Sequence, residues 1–248
     1  MELARLMDQH FLVDRAVVMH LVVAAELGSE DVVLDVGAGT GVLAFEAAKF
    51  ARKVYAVERD PILYKTLSEK AKEYGNVEPV RGNILRLRLP AYTKIVANPP
   101  FSLLEPLIIR HLRNPVTMSL LTPKHFADSI LTPETAIGFK THLSYAVSEK
   151  AVYDGSVCEP PYIGKLSHVL LKPVQRTALQ DAMVMFLLQR GSKVRNSLRN
   201  VLWKTRTKRE ATKLVELSSL SDSLLEKRVN RTTLQELKQV YSFLAENL

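Results

Sequence analysis

Three glycines at alternate positions interrupt an apolar run near the start of the chain, and they restrict what it can fold into. Residues 32–36 are mostly β-branched, Gly37, Gly39 and Gly41 follow, and residues 42–45 resume an apolar, helix-like pattern. This order predicts a buried strand that turns tightly into a helix. Glycines let the backbone approach a ligand closely, and the start of a helix directs free N–H groups at it. The segment therefore predicts a site for a nucleotide-like cofactor.

An acidic residue accompanies this turn at the end of the next predicted strand. Residues 53–57 form a strand-like run that ends in Glu58, 21 residues beyond Gly37. In doubly wound α/β folds, an acid at this place holds the ribose hydroxyls of a bound nucleotide. We therefore expect Glu58 to bind a ribose.

Strand-like and helix-like segments alternate after the turn. The pattern predicts strands near 32–36, 53–57, 77–81, 94–98 and 116–121, with helices near 42–51, 61–74, 103–113 and 124–131. Strands separated by helices of about ten residues predict a mostly parallel sheet with right-handed crossovers and helices on both faces. Two later strand-like runs, 142–147 and 167–171, are expected to close the sheet as an antiparallel pair.

Two further segments flank the predicted sheet. Before the glycine turn, Asp14 is a predicted N-cap for a helix over 15–27, which Gly28 is placed to end. Between the last two strands, the proline-rich loop 160–164 is predicted to frame the entrance of the site.

The last third of the chain is helical and strongly basic. Its residues 173–248 hold 14 basic and 7 acidic side chains, which accounts for seven of the eight net positive charges. The run 190–209 holds eight basic residues and no acid, whereas ordinary surfaces mix both signs. We therefore predict a catalytic domain at 1–173 and a small all-α domain at 174–248 that contacts nucleic acid. The predicted helices are 178–189, 193–203, 210–217 and 233–246, and the predicted contacts are Lys193, Arg195, Arg199, Lys204, Arg206, Lys208 and Arg209.

Composition excludes several other classes of protein. A chain of 248 residues with 47% hydrophobic content can bury one substantial core and a small appended domain. We find no apolar run of the roughly 18 residues that a membrane span needs and no secretory signal pattern, so we expect a cytoplasmic protein. Cys158 is the only cysteine, and the six histidines lack metal-ligand spacing. We therefore expect no disulfide framework and no metal.

The segment after the predicted fourth strand carries the chemistry. It reads Asn98, Pro99, Pro100 and Phe101. An adenine exocyclic amine is a poor nucleophile because its lone pair is delocalised into the ring, and acceptors facing the two N–H groups localise it. The Asn98 side-chain oxygen and the Pro99 carbonyl can serve as these acceptors, while Phe101 offers a face on which a flipped base stacks. We expect direct transfer from the activated methyl group of S-adenosylmethionine, without a covalent intermediate.

Taken together, these motifs resemble the ribosomal RNA adenine dimethyltransferases, the family that includes KsgA and the Erm enzymes. The resemblance covers nearly the whole chain and implies a Rossmann-like class I methyltransferase sheet. The segments 9–14, 35–41, 82–84, 98–101 and 125–127 match family motifs, and 193–198 with 228–230 match the helical domain of the KsgA type. The resemblance implies cofactor contacts from Gln9, His10, Leu12, Asp35, Gly37, Gly39, Gly41, Glu58, Arg59, Asn83, Ile84 and Asn98, and catalytic roles for Asn98, Pro99, Pro100, Phe101 and Phe126.

This chain departs from the family pattern at three positions. His10 stands where the family has Asn, and Asn83 stands where Asp is common, although an amide oxygen can still accept from the cofactor adenine amine. Pro99 fills a slot that is more often Leu or Ile. Phe126 corresponds to the aromatic that covers the other face of the target base.

The sequence leaves three functions open. The first is an S-adenosylmethionine-dependent dimethyltransferase acting on adenine N6 of ribosomal RNA, with small-subunit rRNA or its precursor as partner and the chain a monomer. The second is a DNA adenine methyltransferase, which the absence of a target-recognition insertion disfavours. The third is a ribosome assembly factor that binds RNA without catalysis, which the intact glycine turn and Asn98–Phe101 motif disfavour.

Overall fold

The computed structural model describes residues 10–248, which form an α/β sheet followed by helices. The strands are β1 Phe11–Leu12, β2 Val32–Val36, β3 Lys53–Glu58, β4 Val77–Arg81, β5 Lys94–Ala97, β6 Thr117–Pro123, β7 Tyr145–Asp154, β8 Cys158–Glu159 and β9 Lys165–Pro173. In this part of the chain the main sheet has the order β4-β3-β2-β5-β6-β9-β7, and β1 pairs separately with β8.

The strand directions follow the sequence prediction. β2 pairs in parallel with β3 on one side and β5 on the other, and the sheet continues in parallel to β4 and β6. β9 runs antiparallel to β6, and β7 occupies the edge beyond it. The predicted fold, a mostly parallel Rossmann-like sheet with an antiparallel closing strand and a C-terminal helical region, is confirmed.

The order of the strands reverses at β2, and this reversal locates the site. The chain moves outward from β2 through β3 to β4, and then returns to the other side of β2 as β5 and β6. In open α/β sheets such a reversal leaves a crevice at the carboxyl ends of the two central strands. The glycine turn 37–41 follows β2, Glu58 ends β3 and Asn98 follows β5, so the predicted motifs meet at this edge.

The helices connect these strands and build the C-terminal region. They are α1 Arg15–Ala24, α2 Val42–Ala47, α3 Pro61–Ala71, α4 Leu104–His111, α5 Lys124–Leu131, α6 Ala136–His142, α7 Ala178–Leu188, α8 Val194–Leu202, α9 Lys208–Glu216, α10 Asp222–Glu226 and α11 Leu234–Asn247. The predicted Asp14 cap is present, since its carboxylate accepts the N–H groups of Ala16 and Val17 at 2.8 and 3.2 Å.

Helix α1 ends earlier than the sequence predicts. Its last residue is Ala24, and Glu26 rather than Gly28 takes the left-handed conformation, with φ of 53°. The Lys94 ammonium donates to the carbonyls of Ala25 and Glu26 at 2.9 and 2.5 Å. A distant lysine therefore satisfies the carbonyl groups for which a C-terminal glycine cap is the usual solution.

Two short helices lie where the sequence predicts none. His142, predicted to begin a strand, ends α6, and strand β7 begins at Tyr145. Thr135 starts α6 because its hydroxyl accepts the Gly138 N–H at 2.9 Å. In α10, the Ser221 hydroxyl has the same role toward Leu224. Both helices are too short to show a clear helical period, so a local cap establishes them.

The described chain divides into two compact units. The first runs through Leu107 and includes Val116–Leu131 and Ala146–Pro173; the second comprises Ile108–Pro115, Thr132–Tyr145 and Val174–Leu248. The second unit thus contains two segments that the predicted boundary assigned to the catalytic domain. That residues 1–173 and 174–248 fold as separate domains stays a prediction.

The second unit has its own apolar core and well-defined helix starts. Phe186, Leu198 and Leu237 are buried there. Three of its helices begin with a capping box, in which a threonine and the residue three positions later exchange hydrogen bonds. These threonines are Thr177, Thr207 and Thr233.

Within residues 10–248, no helix combines the length and apolar character needed to cross a membrane. The same residues contain no group of three or more histidine, cysteine, aspartate or glutamate side chains arranged to hold a metal ion. Cys158 is buried and unpaired, and burial raises the pKa of its thiol to about 11.

Candidate active site

The glycine turn after β2 adopts the conformation that its glycines permit. Gly37, Gly39 and Gly41 have φ values of +71°, +55° and +91°, a region that other residues rarely adopt. A Cβ atom on Gly37 would lie 2.6 Å from Cδ of Pro100, and one on Gly41 would lie 2.5 Å from the Phe45 ring. The glycine at 37 therefore lets the turn pack directly against the Asn98–Phe101 motif.

Glu58 is held at the end of β3 by backbone N–H groups. Its side chain is only 6% exposed. One carboxylate oxygen accepts the Gly39 N–H at 2.8 Å, and the other accepts those of Arg59 and Asp60 at 2.7 Å each. The carboxylate thereby links the glycine turn to the start of α3 and keeps a fixed position beside the crevice.

Two adjoining cavities lie along this edge of the sheet. The first cavity is lined by residues 10–12, residues 37–40 of the glycine turn, Glu58 and the Asn98–Phe101 motif. The second cavity is lined by Gly37, Glu58, Pro100 and the segment 82–84, among others. Because Gly37, Glu58 and Pro100 border both cavities, the two form a divided, elongated site.

Asp35 is a buried acid without a hydrogen-bond partner on the wall of the first cavity. Its side chain is 2% exposed, and neither carboxylate oxygen has a hydrogen-bond partner in the described chain. Burial, together with the negative charge of Glu58, raises its pKa from 3.8 to about 8. The nearby Ala44 N–H offsets part of this rise, although it does not reach hydrogen-bonding geometry. A cationic group in the cavity would give Asp35 the partner that it lacks.

Asn98 has a defined side-chain orientation. Its Nδ2 donates to the backbone carbonyl of His10 at 2.8 Å. Because the amide nitrogen is engaged in this way, Oδ1 is the atom left to accept hydrogen bonds at the cavity wall. Pro99 and Pro100 fix the turn that follows, and Phe101 begins a short 3₁₀ turn, residues Phe101–Leu103, ahead of α4.

An aromatic cluster of His10, Phe101 and Tyr162 stands beside Asn98. The His10 and Phe101 rings are nearly parallel, with centroids 6.0 Å apart, and Tyr162 packs edge-on against both at 5.3 Å. His10 Nδ1 lies 2.9 Å from the Pro160 carbonyl, which can only accept, so Nδ1 carries the proton. The loop 160–164 therefore does border the candidate base-binding site.

Tyr162 is the site residue that the sequence analysis missed. The loop was predicted to frame the entrance, but no motif singled out this side chain. Its backbone N–H donates to the Gly155 carbonyl at 3.0 Å. A Cβ on Gly155 would lie 1.9 Å from the backbone carbonyl oxygen of Tyr162. Gly155 thus seats the loop, and a tyrosine that follows two prolines carries no sequence signal of this contact.

The remaining predicted cofactor contacts divide between the two cavities. His10 and Leu12 line the first cavity, and Arg59, Asn83 and Ile84 line the second, whereas neither lining includes Gly41. The Asn83 Oδ1 accepts the Leu85 N–H at 3.0 Å, so it stabilises its own turn as well. Gln9 lies outside the described residues.

Phe126 is not brought into either cavity. It is half-buried on α5, and neither cavity lining includes it among the described residues. Its role as the second stacking surface for the target base stays a prediction.

The basic run 190–209 is free of acids in sequence but not in space. Lys193 and Arg195 both pair with Glu226 at 2.5 Å, and Arg199 pairs with Glu216 at 3.0 Å. These acids come from α10 and α9, which the linear count could not place. The remaining predicted contacts are all exposed: Lys204, Arg206, Lys208 and Arg209.

Comparison with known proteins decides the family. Residues 4–152 match the model of the family described as ribosomal RNA adenine dimethylase. The chain belongs to the ribosomal RNA adenine dimethylase family. It is 31% identical over 247 residues to a probable ribosomal RNA small subunit methyltransferase A of Methanosarcina barkeri, a match that covers 94% of this chain and 85% of that protein.

Solved structures agree with this family in fold. The chain matches a dimethyladenosine transferase from Plasmodium falciparum with a TM-score of 0.65 at 18% identity, covering 96% of this chain and 98% of that one. It matches the 23S rRNA methyltransferase ErmE with a TM-score of 0.63 at 21% identity, covering 95% and 99%. The identification made from the sequence motifs is confirmed.

This dimethylase is therefore an enzyme that uses S-adenosylmethionine to methylate adenine in ribosomal RNA. The unpartnered Asp35 fits the ammonium group of that cofactor, and residues 37–40 of the glycine turn line the cavity beside it. Family membership excludes the DNA methyltransferase interpretation.

Proposed function

We propose that this dimethylase modifies the exocyclic amine of an unpaired adenine in small-subunit ribosomal RNA, acting in the cytoplasm as a monomer without a metal during ribosome assembly. The orientation of Asn98 is the observation that carries the catalytic part of the proposal. Its Nδ2 is committed to the His10 carbonyl, so Oδ1 faces the site as an acceptor beside Phe101. The name of the Methanosarcina relative supports the small subunit as target.

Asn98 and Pro99 prepare the amine for attack. The Asn98 Oδ1 accepts one amine N–H and the Pro99 carbonyl accepts the other, which draws the nitrogen lone pair out of the adenine ring. S-adenosylmethionine, when bound, supplies an electrophilic methyl group. As the new N–C bond forms the methyl–sulfur bond breaks, and the amine then releases one proton to water. Positioning and electrostatics supply most of the rate enhancement.

The two cavities would divide the cofactor between them. Asp35 would bind the ammonium group of its amino-acid end, Glu58 at the boundary would accept hydrogen bonds from the ribose hydroxyls, and Asn83 and Ile84 would border the adenine. The glycine turn would supply close backbone contacts, Arg59 would lie on the adenine side, and His10 and Leu12 would cover the amino-acid end. The family resemblance adds a contact from Gln9. This assignment pairs opposite charges, because Asp35 is a buried acid with no hydrogen-bond partner in the described chain.

Phe101 would hold the target base against one face. His10 and Tyr162 pack around Phe101 and limit the orientations open to its ring. Extruding a base costs a few kcal/mol, and the cost is smallest when the base is unpaired already. Phe126 is proposed to cover the opposite face once RNA is bound.

The test is methyl transfer to purified ribosomal RNA from small and large subunits. Reaction with radiolabelled cofactor, followed by nuclease digestion and mass spectrometry, should show N6-methylated adenosine in small-subunit rRNA only. Labelling of large-subunit rRNA alone would contradict the choice of target. Binding of RNA without any labelling, by a protein that binds the cofactor, would favour an assembly factor without catalysis.

A further inference from the structure

The only tryptophan of the chain lies on the surface of the helical unit. Trp203 immediately follows α8, and its side chain is 51% exposed. The Lys208 ammonium stands over the indole ring, 4.3 Å from its centroid. The exposed indole and the ammonium beside it offer an aromatic face and a positive charge to a ligand.

The charges around Trp203 indicate the kind of ligand. Lys204, Arg206, Lys208 and Arg209 are all exposed. Glu210, the acid that directly follows these residues, is engaged in the capping box of α9 with Thr207. Arg206 donates to the carbonyl of Asn247 through Nε and one terminal nitrogen, so it is partly committed.

The basic side chains further along α8 differ in their surroundings. Lys193 and Arg195 share Glu226, and Arg199 is paired with Glu216. Two carboxylates face these three cations and offset most of their positive charge, so a phosphate would have to compete with a carboxylate for each of them. By contrast, Lys204, Lys208 and Arg209, which lie near Trp203 in the chain, form no ion pair within the described residues. Glu216 lines the same groove as Lys208 and Arg209 but pairs with Arg199.

We infer that Trp203 and Lys208 form a stacking platform for an unpaired nucleotide of the RNA substrate, with Lys204 and Arg209 contacting the flanking phosphates. Aromatic rings flanked by cations bind single strands in this way because every base has a face on which an aromatic can stack. In a duplex those faces are covered by neighbouring base pairs. A duplex could therefore contact the basic side chains through its phosphates but could not stack a base on the indole. This inference rests on the proposed function only in taking RNA as the ligand.

The single tryptophan makes the test direct, since emission excited beyond the absorption band of the eight tyrosines reports on Trp203 alone. We expect a short, unstructured oligoribonucleotide with a fluorescent end label to quench the indole emission as it binds, and a duplex of equal length to bind without quenching. Trp203→Leu should weaken single-strand binding about 5- to 100-fold, measured by anisotropy of the label. Trp203→Phe, which keeps an aromatic ring, should recover part of the lost affinity. It also serves as the test variant if Trp203→Leu does not fold.

Matched controls separate stacking from general charge and general apolarity. Lys208→Ala should reduce single-strand affinity, whereas Lys238→Ala, which removes a lysine paired with Glu134 elsewhere in the helical unit, should not. Leu217→Ala, which removes another exposed apolar side chain, should also leave affinity unchanged.

Three results would overturn the inference: single-strand binding by anisotropy with no change in indole emission, equal quenching by duplex, or wild-type affinity in Trp203→Leu. Failure of the proposed function is distinguishable, because it appears as absent methyl transfer to small-subunit rRNA by a protein whose Trp203 still responds to RNA. A fourth result, quenching by a ribosomal protein but not by RNA, would also overturn the inference and would place a protein partner at this surface.

Discussion

The Nδ2 atom of Asn98 donates a 2.8 Å hydrogen bond to the backbone carbonyl of His10. Two segments 88 residues apart in the chain thus meet at the catalytic motif. The bond selects one of the two possible orientations of the Asn98 amide, the one in which its oxygen is free to accept from a substrate amine.

Asn98→Ala should lower the rate of methyl transfer by at least about a hundredfold, the size of loss seen when a single stabilising polar contact is removed from an active site. Cofactor affinity should change little, because Glu58 and Asp35 are untouched. Single-turnover kinetics and calorimetry measure the two quantities separately. Retention of most of the wild-type rate would show that Asn98 does not orient the amine.

Glu58→Ala should weaken S-adenosylmethionine binding by about ten- to a hundredfold, since hydrogen bonds to a charged group are worth roughly 1.5–3 kcal/mol. The variant also frees the N–H groups of Gly39, Arg59 and Asp60, so its thermal unfolding should be recorded beside the calorimetric titration. Glu73→Ala, which removes an exposed acid after α3, is the matched control. Equal affinity in a folded Glu58→Ala protein would remove Glu58 from the site.

Asp35 should make both stability and cofactor binding depend on pH. Its pKa in the folded protein is raised from 3.8 to about 8, so its contribution to stability is complete below pH 4 and is lost as the pH rises to about 8. A cationic ligand favours the ionised form, so binding should release a proton near neutral pH and tighten toward pH 8. Calorimetry in buffers of different ionisation enthalpy measures this proton. Asp35→Asn should abolish the release, and an unchanged release would assign it to another group.

Gly37→Ala should damage cofactor binding and catalysis together. The new Cβ would meet the ring of Pro100 at 2.6 Å in a residue with φ of +71°, and strain of this kind costs about 1–3 kcal/mol. The Pro100 ring is rigid, so the catalytic turn itself must shift. Gly75→Ala is the control, because a Cβ there meets nothing within 4 Å. Wild-type kinetics in Gly37→Ala would mean that the turn and the motif can separate freely.

Local sequence was enough to predict the parts of the site that follow from one strand and its turn. Gly37, Glu58 and Asn98 were identified because each ends a strand at a characteristic spacing, and a parallel sheet brings such ends to one edge. Tyr162 was missed because its place depends on how a late loop seats on Gly155. Neither the sequence around Gly155 nor that of the loop 160–164 predicts this contact.

The basic run illustrates the same limit for charge. Counting along the chain identifies Arg195 and Arg199 as uncompensated, whereas folding brings Glu226 and Glu216 against them. Electrostatic surroundings are set by tertiary neighbours, so the sequence predicts the sign of a region better than the availability of any one side chain.

Strand β1 pairs with β8, and the Val13 and Asp14 N–H groups both donate to the Val157 carbonyl. Residues 11–14, next to the proposed cofactor site, are therefore joined by backbone hydrogen bonds to the loop that carries Tyr162. Dimethylation requires spent cofactor to leave between two transfers, and we propose that a movement of residues 11–14 that releases it also moves Tyr162 away from the base. We therefore expect distributive rather than processive catalysis, with monomethylated adenosine accumulating early in the reaction and disappearing later.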